Sequence, residues 1–278
     1  MLKIGWFSSG EVKSSEGRRA ARELLDTVMY AKKDGILDIE ISFVFSNIEP
    51  GERLYGDQFF KLVKDYGLPL VTFSSEKFEP EMRKESKEEW RNLYDNVCLS
   101  SDYLGSYEKP DLCVLAGDMT IWGPIKCMYF NAINLHPALP GGPAGTWQNV
   151  IWEVLKQNSN EHGVMMHRVT PELDQGSVVT YCRFSIKGGN FEELWNIKKS
   201  RVPSPEEIKE YERQNKPLSE KIREEGVKRE LPLLTYTLKQ FADQVIRFEG
   251  NKIFSGNSEL IGGLDLTDKV ESRVHKYN

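Results

Sequence analysis

Short apolar runs alternate with helix-spaced segments through the first half of the chain, and this alternation limits the possible folds more than any other feature. The apolar runs are 3–8, 39–45, 69–73, 112–116 and 131–135, and the helix-spaced segments between them are 18–33, 59–66 and 80–103. A β-α-β-α order of this kind is typical of a mostly parallel sheet with helices on both faces. The sequence therefore predicts an α/β fold with a doubly wound, mostly parallel sheet of the Rossmann type.

The second half of the chain changes character twice. Two strand-like runs, 164–169 and 177–186, predict a hairpin with a polar loop. A charge-rich and proline-rich stretch follows, then an apolar helical pattern and a tail that alternates glycine with apolar residues. We therefore predict three parts: an α/β core at 1–186, a charged helical insertion at 187–229, and a C-terminal helix and short β extension at 230–278, packed on the core.

The charge and hydropathy of the chain argue against several classes of function. Its 278 residues carry 42 acidic and 37 basic side chains, a net charge of −5, without a basic block. Binding to nucleic acid needs clustered lysine and arginine, so we expect no nucleic-acid partner. No apolar run approaches the ~20 residues that span a bilayer, and the start of the chain does not have the pattern of a secretory signal. We expect a cytoplasmic protein without a membrane partner.

The stretch Asn134-Leu-His-Pro-Ala-Leu-Pro140 at the end of the fifth predicted strand carries the most informative side chains. Because side chains alternate along a strand, Asn134 and His136 point in the same direction, and Pro137 turns the chain out of the sheet. Ligands of doubly wound sheets bind beyond the carboxyl ends of the strands, where this stretch lies. Asp174 follows in the polar loop of the predicted hairpin.

An amide, an imidazole and a carboxylate together suit acyl transfer. The amide can donate to a developing oxyanion, the imidazole can move a proton near neutral pH, and the carboxylate can orient the imidazole. A turn is the competing explanation for Asn-x-His-Pro or Asp-x-Gly when either stands alone. The order strand, Asn-x-His-Pro, helix, glycine, hairpin and Asp-x-Gly favours a site made by Asn134, His136 and Asp174.

This order of motifs resembles the folate-dependent formyltransferase family. The family pattern Asn-x-His-Pro-[Ser/Ala]-Leu-Leu-Pro is matched by 134–140 with one leucine fewer. It is followed by Gly163-Val-Met-Met-His167-Arg-Val169 and Asp174-Gln-Gly176-Ser-Val-Val179. The resemblance implies a formyltransferase-like fold, a catalytic trio of Asn134, His136 and Asp174, the co-substrate 10-formyltetrahydrofolate, and no requirement for a metal. His167 is expected to be structural, although near the site.

Weaker resemblances extend upstream of the main motif. The segment 114–122 resembles the family's pterin-pocket segment, and Ser8-Ser-Gly10 with Gly17-Arg-Arg19 resembles a phosphate-binding loop that opens a helix. The implied cofactor-binding residues are Met119, Thr120, Ile121, Trp122, Leu173 and Gln175. The implied phosphate-binding residues are Ser9, Gly10, Gly17, Arg18 and Arg19.

The acceptor of the formyl group is the least determined part of the prediction. The resemblance implies a phosphorylated small-molecule amine, with glycinamide ribonucleotide of purine synthesis as the first choice. The segment 227–232, Val-Lys-Arg-Glu-Leu-Pro, keeps the family's proline but has no glutamate at the position that meets the ribose. Formylation of an amino-sugar nucleotide is therefore an alternative, as are hydrolysis of the formyl-folate and a folate- or nucleotide-binding protein with degenerate catalysis. A homodimer is left open.

Overall fold

The computed structural model describes residues 1–10, 21–118, 120–197 and 208–275. Eight strands form one sheet in the order β11-β7-β6-β5-β4-β1-β2-β3. Five of them are parallel neighbours: β1 Leu2–Phe7, β2 Ile39–Ser46, β3 Leu70–Thr72, β4 Leu112–Leu115 and β5 Ala132–His136. The predicted doubly wound, mostly parallel sheet is confirmed.

Period-two alternation explains why helices cover both faces of this sheet. Along β1, Ile4 and Trp6 are buried in one apolar cluster with α1, while Phe7 is buried in a second cluster on the opposite face. The helices are α1 Ala21–Lys33, α2 Leu54–Asp65, α3 Pro80–Glu85, α4 Lys87–Cys98, α5 Pro124–Tyr129, α6 Trp147–Lys156, α7 Glu192–Ile197, α8 Ile208–Ala242 and α9 Thr267–Val274. Of these, α1, α2, α8 and α9 contribute to the first cluster, and α4 contributes to the second.

The predicted hairpin forms the antiparallel part of the sheet. Strand β6 Glu161–Arg168 pairs antiparallel with β5 and with β7 Val178–Ser185. Because β5 and β6 are antiparallel, β6 ends beside the start of β5, where Arg168 pairs with Ile133. The β6–β7 loop folds back from there and places Asp174 beside His136 at the carboxyl end of β5. This is the edge where the fold rule places ligands.

Two details of the sequence prediction differ from the structure. The segment 80–103 was predicted as one helix, but the helix breaks at Ser86, whose backbone leaves the helical region, so that α3 and α4 are separate. The predicted boundary between 229 and 230 falls inside the continuous helix α8. Apolar residues on both sides of it, such as Ile222 and Leu233, are fully buried, which charge and proline content did not reveal.

The C-terminal β segment divides between two sheets. Strands β8 Ile246–Glu249, β9 Lys252–Ser255 and β10 Ser258–Glu259 form a small antiparallel sheet, and β11 Leu264–Asp265 joins β7 at the edge of the main sheet. Among the residues that the structure describes, no helix combines the length and apolar character needed to cross a membrane.

Candidate active site

A cavity of about 400 Å³ opens at the carboxyl edge of β4 and β5. Its walls come from the segments after these strands, the β6–β7 loop, the start of α6 and one face of α8. The lining includes Asp118, Thr120, Ile121, Trp122, Asn134, His136, Trp147, His167, Leu173, Asp174, Arg223, Glu230 and Leu234. The cavity thus brings together residues as far apart in the sequence as Leu24 and Leu234.

Four polar side chains form what we call the edge cluster: Asn134, His136, His167 and Asp174. The Asp174 carboxylate lies between two imidazoles, with Oδ2 3.6 Å from His136 Nδ1 and Oδ1 3.5 Å from His167 Nε2. The amide nitrogen of Asn134 is 3.4 Å from the same His167 nitrogen. These separations are longer than ordinary hydrogen bonds. The three predicted catalytic residues are therefore brought together with room for small adjustments.

His167 joins this cluster through the register of the sheet. Strand β6 pairs antiparallel with β5 so that His167 stands opposite Asn134. Sequence analysis assigned His167 a structural role near the site, whereas the structure places its ring against Asp174. The alternation of β6 gave the direction of this side chain, but only the pairing register with β5 could show which residue it faces.

A glycine-rich loop after β5 holds the edge cluster through its backbone. The carbonyl of Pro143 is 2.9 Å from Nε2 of His136, and the amide N–H of Gly145 donates to Asp174 Oδ2 at 2.9 Å. Since a carbonyl can only accept, Nε2 of His136 carries a hydrogen. Gly145 has φ +102, a conformation that residues with a side chain rarely adopt. This requirement explains a glycine at position 145.

The charges in the cluster follow from burial and these contacts. Burial lowers the pKa of His136, and it outweighs the opposing effects of the Pro143 carbonyl and the Asp174 carboxylate. Burial alone would raise the pKa of Asp174, but the imidazole of His167, the hydrogen bond from the Gly145 amide and the imidazole of His136 hold it below its usual value. At neutral pH the resting cluster therefore combines an ionised Asp174 with a mostly neutral His136.

The residues predicted to bind the cofactor are only partly gathered at the cavity. Thr120, Ile121, Trp122 and Leu173 line it, whereas Gln175 is exposed and is not among the lining residues, and Met119 lies outside the described residues. Ile121 and Leu173 are 37% and 48% exposed at the rim. This end of the cavity, which we call the cofactor end, is therefore largely apolar.

The residues predicted to bind phosphate lie at the end of β1. The Ser9 hydroxyl donates to Asn47 Oδ1 at 2.7 Å, and Asn47 donates to the hydroxyl of Ser75 at 3.1 Å. Gly10 has φ +66 and approaches Phe59 so closely that a Cβ would lie 2.9 Å from its side chain. Gly17, Arg18 and Arg19 lie outside the described residues.

An ion pair on α8 lines the other end of the cavity and was missed by sequence analysis. Arg223 and Glu230 are 6% and 3% exposed, and Nη1 of the arginine contacts Oε1 of the glutamate. The guanidinium also lies 5.5 Å from the ring of Trp147. We call this part of the cavity the α8 end. The seven-residue spacing of the pair, two helical turns, was a possible signal, but the sequence analysis divided the pair between the charged insertion, which contains Arg223, and the C-terminal helix, which begins with Glu230.

A doubly wound sheet that holds an amide, two imidazoles and a carboxylate in a cavity at its carboxyl edge has the architecture of a group-transfer protein. The chain belongs to the formyl transferase family, whose sequence profile matches residues 25–194, more than half of its length. The predicted family is thereby confirmed. Among the described residues, no group of three or more His, Cys, Asp or Glu side chains could hold a metal ion.

The sequence identity between this chain and individual members of the family is modest. The chain is 33% identical over 86 residues to the phosphoribosylglycinamide formyltransferase of Escherichia coli, which covers 30% of this chain and 40% of that protein. It is 28% identical over 194 residues to the Saccharomyces cerevisiae protein of the same name, covering 66% and 86% of the two chains. The match thus spans less than half the length of the Escherichia coli relative.

The fold is shared with solved structures. A phosphoribosylglycinamide formyltransferase from Coxiella burnetii, in complex with CHES, superposes with a TM-score of 0.60 at 22% identity, over 95% of this chain and 98% of that one. At this identity the likeness concerns the fold alone. The choice of acceptor depends on the side chains that line the cavity of this chain.

Proposed function

We propose that this protein transfers a formyl group from 10-formyltetrahydrofolate to a primary amine, with glycinamide ribonucleotide as the first acceptor to test. The observation that carries the proposal is the position of Asp174, whose carboxylate lies between His136 and His167 beside Asn134. Membership of the formyl transferase family and the names of its relatives support the same chemistry. A cytoplasmic setting is part of this proposal.

The shape and polarity of the cavity support a folate at the cofactor end. A pterin is a flat ring with polar edges, and the apolar side chains of Ile121, Trp122 and Leu173 offer it a slot that leads to the edge cluster. The amine would then enter from the α8 end. In this arrangement Asn134 and His136 lie between the two substrates, where the formyl carbon must be.

The edge cluster can assist both the attack and the proton transfer. The folate supplies the formyl carbon, which gains a bond to the acceptor nitrogen and loses its bond to the folate nitrogen. The amide of Asn134 donates to the oxygen that becomes negative, and the Nε2 hydrogen of His136 can turn from Pro143 to the same oxygen. The proton that the amine releases passes toward Asp174, which the resting site keeps ionised. A proton then passes from His136 to the folate nitrogen as its bond to the formyl carbon breaks, so that tetrahydrofolate leaves as a neutral amine and the site returns to its resting state.

The neutral state of His136 at rest fits this sequence of events. When Nε2 carries the hydrogen, Nδ1 presents its lone pair toward Asp174, 3.6 Å away. A proton arriving between these atoms converts the pair into an imidazolium and a carboxylate, which attract each other in a buried setting. The positive ring then stabilises the negative oxygen more strongly than the resting ring does.

The test measures tetrahydrofolate formed from 10-formyltetrahydrofolate, with and without glycinamide ribonucleotide, for the wild type and Asp174→Ala. Turnover that requires the ribonucleotide and falls by roughly 10²–10⁴ in the variant is the expected result. Folate binding without ribonucleotide-dependent turnover would reject this acceptor.

An amino-sugar nucleotide is the second candidate acceptor, and the α8 end of the cavity supports testing it. The buried pair of Arg223 and Glu230 gives this end a polar surface, whereas Val227 stands where the resemblance expects a ribose-binding glutamate. An acceptor with a larger polar body is compatible with these residues. Turnover with an amino-sugar nucleotide in the same assay, and none with glycinamide ribonucleotide, would select this alternative.

A further inference from the structure

A buried lysine that the proposed chemistry does not use lies next to the cofactor end of the cavity. Lys126 belongs to α5, and its side chain is only 2% exposed. The indole of Trp122, which lines the cavity, is 5.7 Å from the ammonium. A charged group in such a place is unfavourable unless it has partners, so its surroundings need an explanation.

The ammonium of Lys126 is enclosed by one carboxylate and three aromatic rings. Nζ is 3.5 Å from Oδ1 of Asp95 in α4, whose side chain is 3% exposed. The rings of Tyr94, Phe45 and Trp122 lie 4.6, 5.3 and 5.7 Å from the ammonium, within the range of cation–π attraction. We call Asp95, Lys126 and these rings the Lys126 cluster.

These surroundings keep Lys126 charged. Burial by itself would lower the pKa of Lys126, but the nearby Cys98, Asp95 and Asp118 outweigh burial and raise it. The presence of Asp118 in this group matters, because Asp118 lines the cavity whereas Asp95 does not. The charge of Asp118, on the segment after β4, thus adds to that of Asp95, whose Oδ1 lies 3.5 Å from the ammonium.

Both acidic side chains hold the segment that forms the cofactor end. Asp118 accepts hydrogen bonds from the backbone N–H of Thr120 at 2.9 Å, from its hydroxyl at 2.7 Å, and from the indole of Trp122 at 3.1 Å. Asp95 accepts from the backbone N–H of Lys126 at 3.0 Å. We call the residues Thr120–Trp122 the cofactor wall. Asp118 holds the wall itself through these hydrogen bonds, and Asp95 holds the start of α5, which follows the wall in the chain.

Gly123 brings the chain close enough for this arrangement. It joins the cofactor wall to α5, and a Cβ at this position would lie 2.7 Å from Oδ2 of Asp95. A side chain here would displace the carboxylate that pairs with Lys126. The contact between α4 and the start of α5 therefore requires a glycine at position 123.

We propose that Lys126 and Asp95 are positioning residues that hold the cofactor wall in the shape that binds the pterin-bearing end of the folate. Apolar side chains of similar volume in place of both Lys126 and Asp95 would avoid the loss of hydration that buried charges suffer, and such replacements of a whole pair are often neutral or stabilising. A charge at this position does what an apolar group cannot, because it attracts the carboxylate of Asp95, which also accepts from the backbone of α5 next to the cofactor wall. This inference rests on the proposed function.

The test compares Lys126→Met, the double variant Asp95→Asn with Lys126→Met, and the control Lys109→Met. Lys109 is an exposed lysine whose ammonium lies 4.9 Å from the ring of Tyr129, at the end of α5. Its variant therefore removes a lysine that also contacts an aromatic ring but lies away from the cofactor wall. For each protein we would measure tetrahydrofolate binding by calorimetry, thermal unfolding, and kcat with KM for both substrates.

The expected result is a selective loss of folate affinity. In Lys126→Met the Kd and KM for folate should rise roughly tenfold, with kcat and the acceptor KM changed less than about threefold, because a displaced wall affects the ligand that it touches. The double variant should regain thermal stability, since Asp95 is no longer an unpaired buried charge, but should not regain folate affinity. Lys109→Met should match the wild type.

Two results would overturn the inference while the proposed function stands: folate affinity that returns together with stability in the double variant, or Lys126 variants that bind folate as the wild type does. If Lys126→Met does not fold, the double variant decides between these outcomes. A wild-type protein that neither binds tetrahydrofolate nor deformylates its 10-formyl derivative would instead overturn the proposed function, and this inference with it.

Discussion

Two buried clusters of opposite charges adjoin the cavity, and they differ in how tightly the charges are enclosed. The edge cluster opens onto the cavity, and its carboxylate stands 3.5 and 3.6 Å from two imidazole rings. The Lys126 cluster is closed by aromatic rings, and its ammonium stays charged. The first arrangement can move a proton, whereas the second can only hold a position. We infer that buried charge serves the chemistry in one cluster and the shape of the site in the other.

The largest expected effect concerns the edge cluster. His136→Ala should lower kcat by roughly 10²–10⁴ and leave folate binding intact, because the imidazole acts in proton transfer while the cofactor end is untouched. Single-turnover formation of tetrahydrofolate, with folate binding measured separately, checks this. Equal losses in rate and in folate affinity would show that the edge cluster is a positioning element as well, and the distinction between the clusters would fail.

The next largest effect concerns stability and the Lys126 cluster. Lys126→Met leaves Asp95 buried without its cation, which should lower the free energy of unfolding by ~3–5 kcal/mol. Urea unfolding at pH 7 measures the loss, and the double variant with Asp95→Asn should recover most of it. A single variant as stable as the wild type would mean that the pair contributes little to the closed cluster.

The third expected effect is a pH dependence of stability that comes from His162. This residue is buried near the edge cluster but has no carboxylate partner in the described contacts. Burial, with smaller effects of Arg223 and His136, lowers its pKa to about 3. The folded protein binds a proton at His162 less readily than the unfolded chain does, so stability is lost as pH falls below about 6.5. Between pH 7 and pH 5 this residue alone should remove about 2 kcal/mol from the free energy of unfolding.

Urea unfolding of the wild type and of His162→Gln at pH 7 and pH 5 measures this loss. The variant should lose less stability between the two pH values, since it has no proton to gain at position 162. Parallel losses in the two proteins would assign the pH dependence to other groups, such as His136.

The smallest effect serves as a baseline for both clusters. Lys61 and Asp65 form an ion pair at 2.7 Å on the surface of α2, with side chains 76% and 59% exposed. Water and salt screen such a pair, so Lys61→Ala should change the free energy of unfolding by less than about 0.5 kcal/mol and leave the rate unchanged. A larger change would show that mutations at any charged site disturb this fold. The loss of stability in Lys126→Met would then not be specific to the Lys126 cluster.

The two clusters also differ in how far the sequence could predict them. Asn134 and His136 stand two residues apart on one strand, so alternation places them together. The order of motifs and the family resemblance add Asp174, which lies in a loop that alternation does not describe. Asp95 and Lys126 lie on two helices, and their contact depends on how α4 packs against the start of α5. No periodicity within either helix contains that information. The strands of the core were predicted well for the same reason, since alternation is a local signal.

The short strands at the two edges of the main sheet have a consequence for self-association. Strand β3 has three residues, and β11 has two, which pair with Thr180 and Tyr181 of β7. Beyond β11, the hydroxyl of Thr267 accepts the backbone N–H of Arg183 at 3.1 Å, so this donor of β7 is also occupied. An edge with few open backbone groups is a poor template for another strand. If copies of this chain associate, we therefore expect their contacts to be made by side chains on the helices rather than by extension of the sheet.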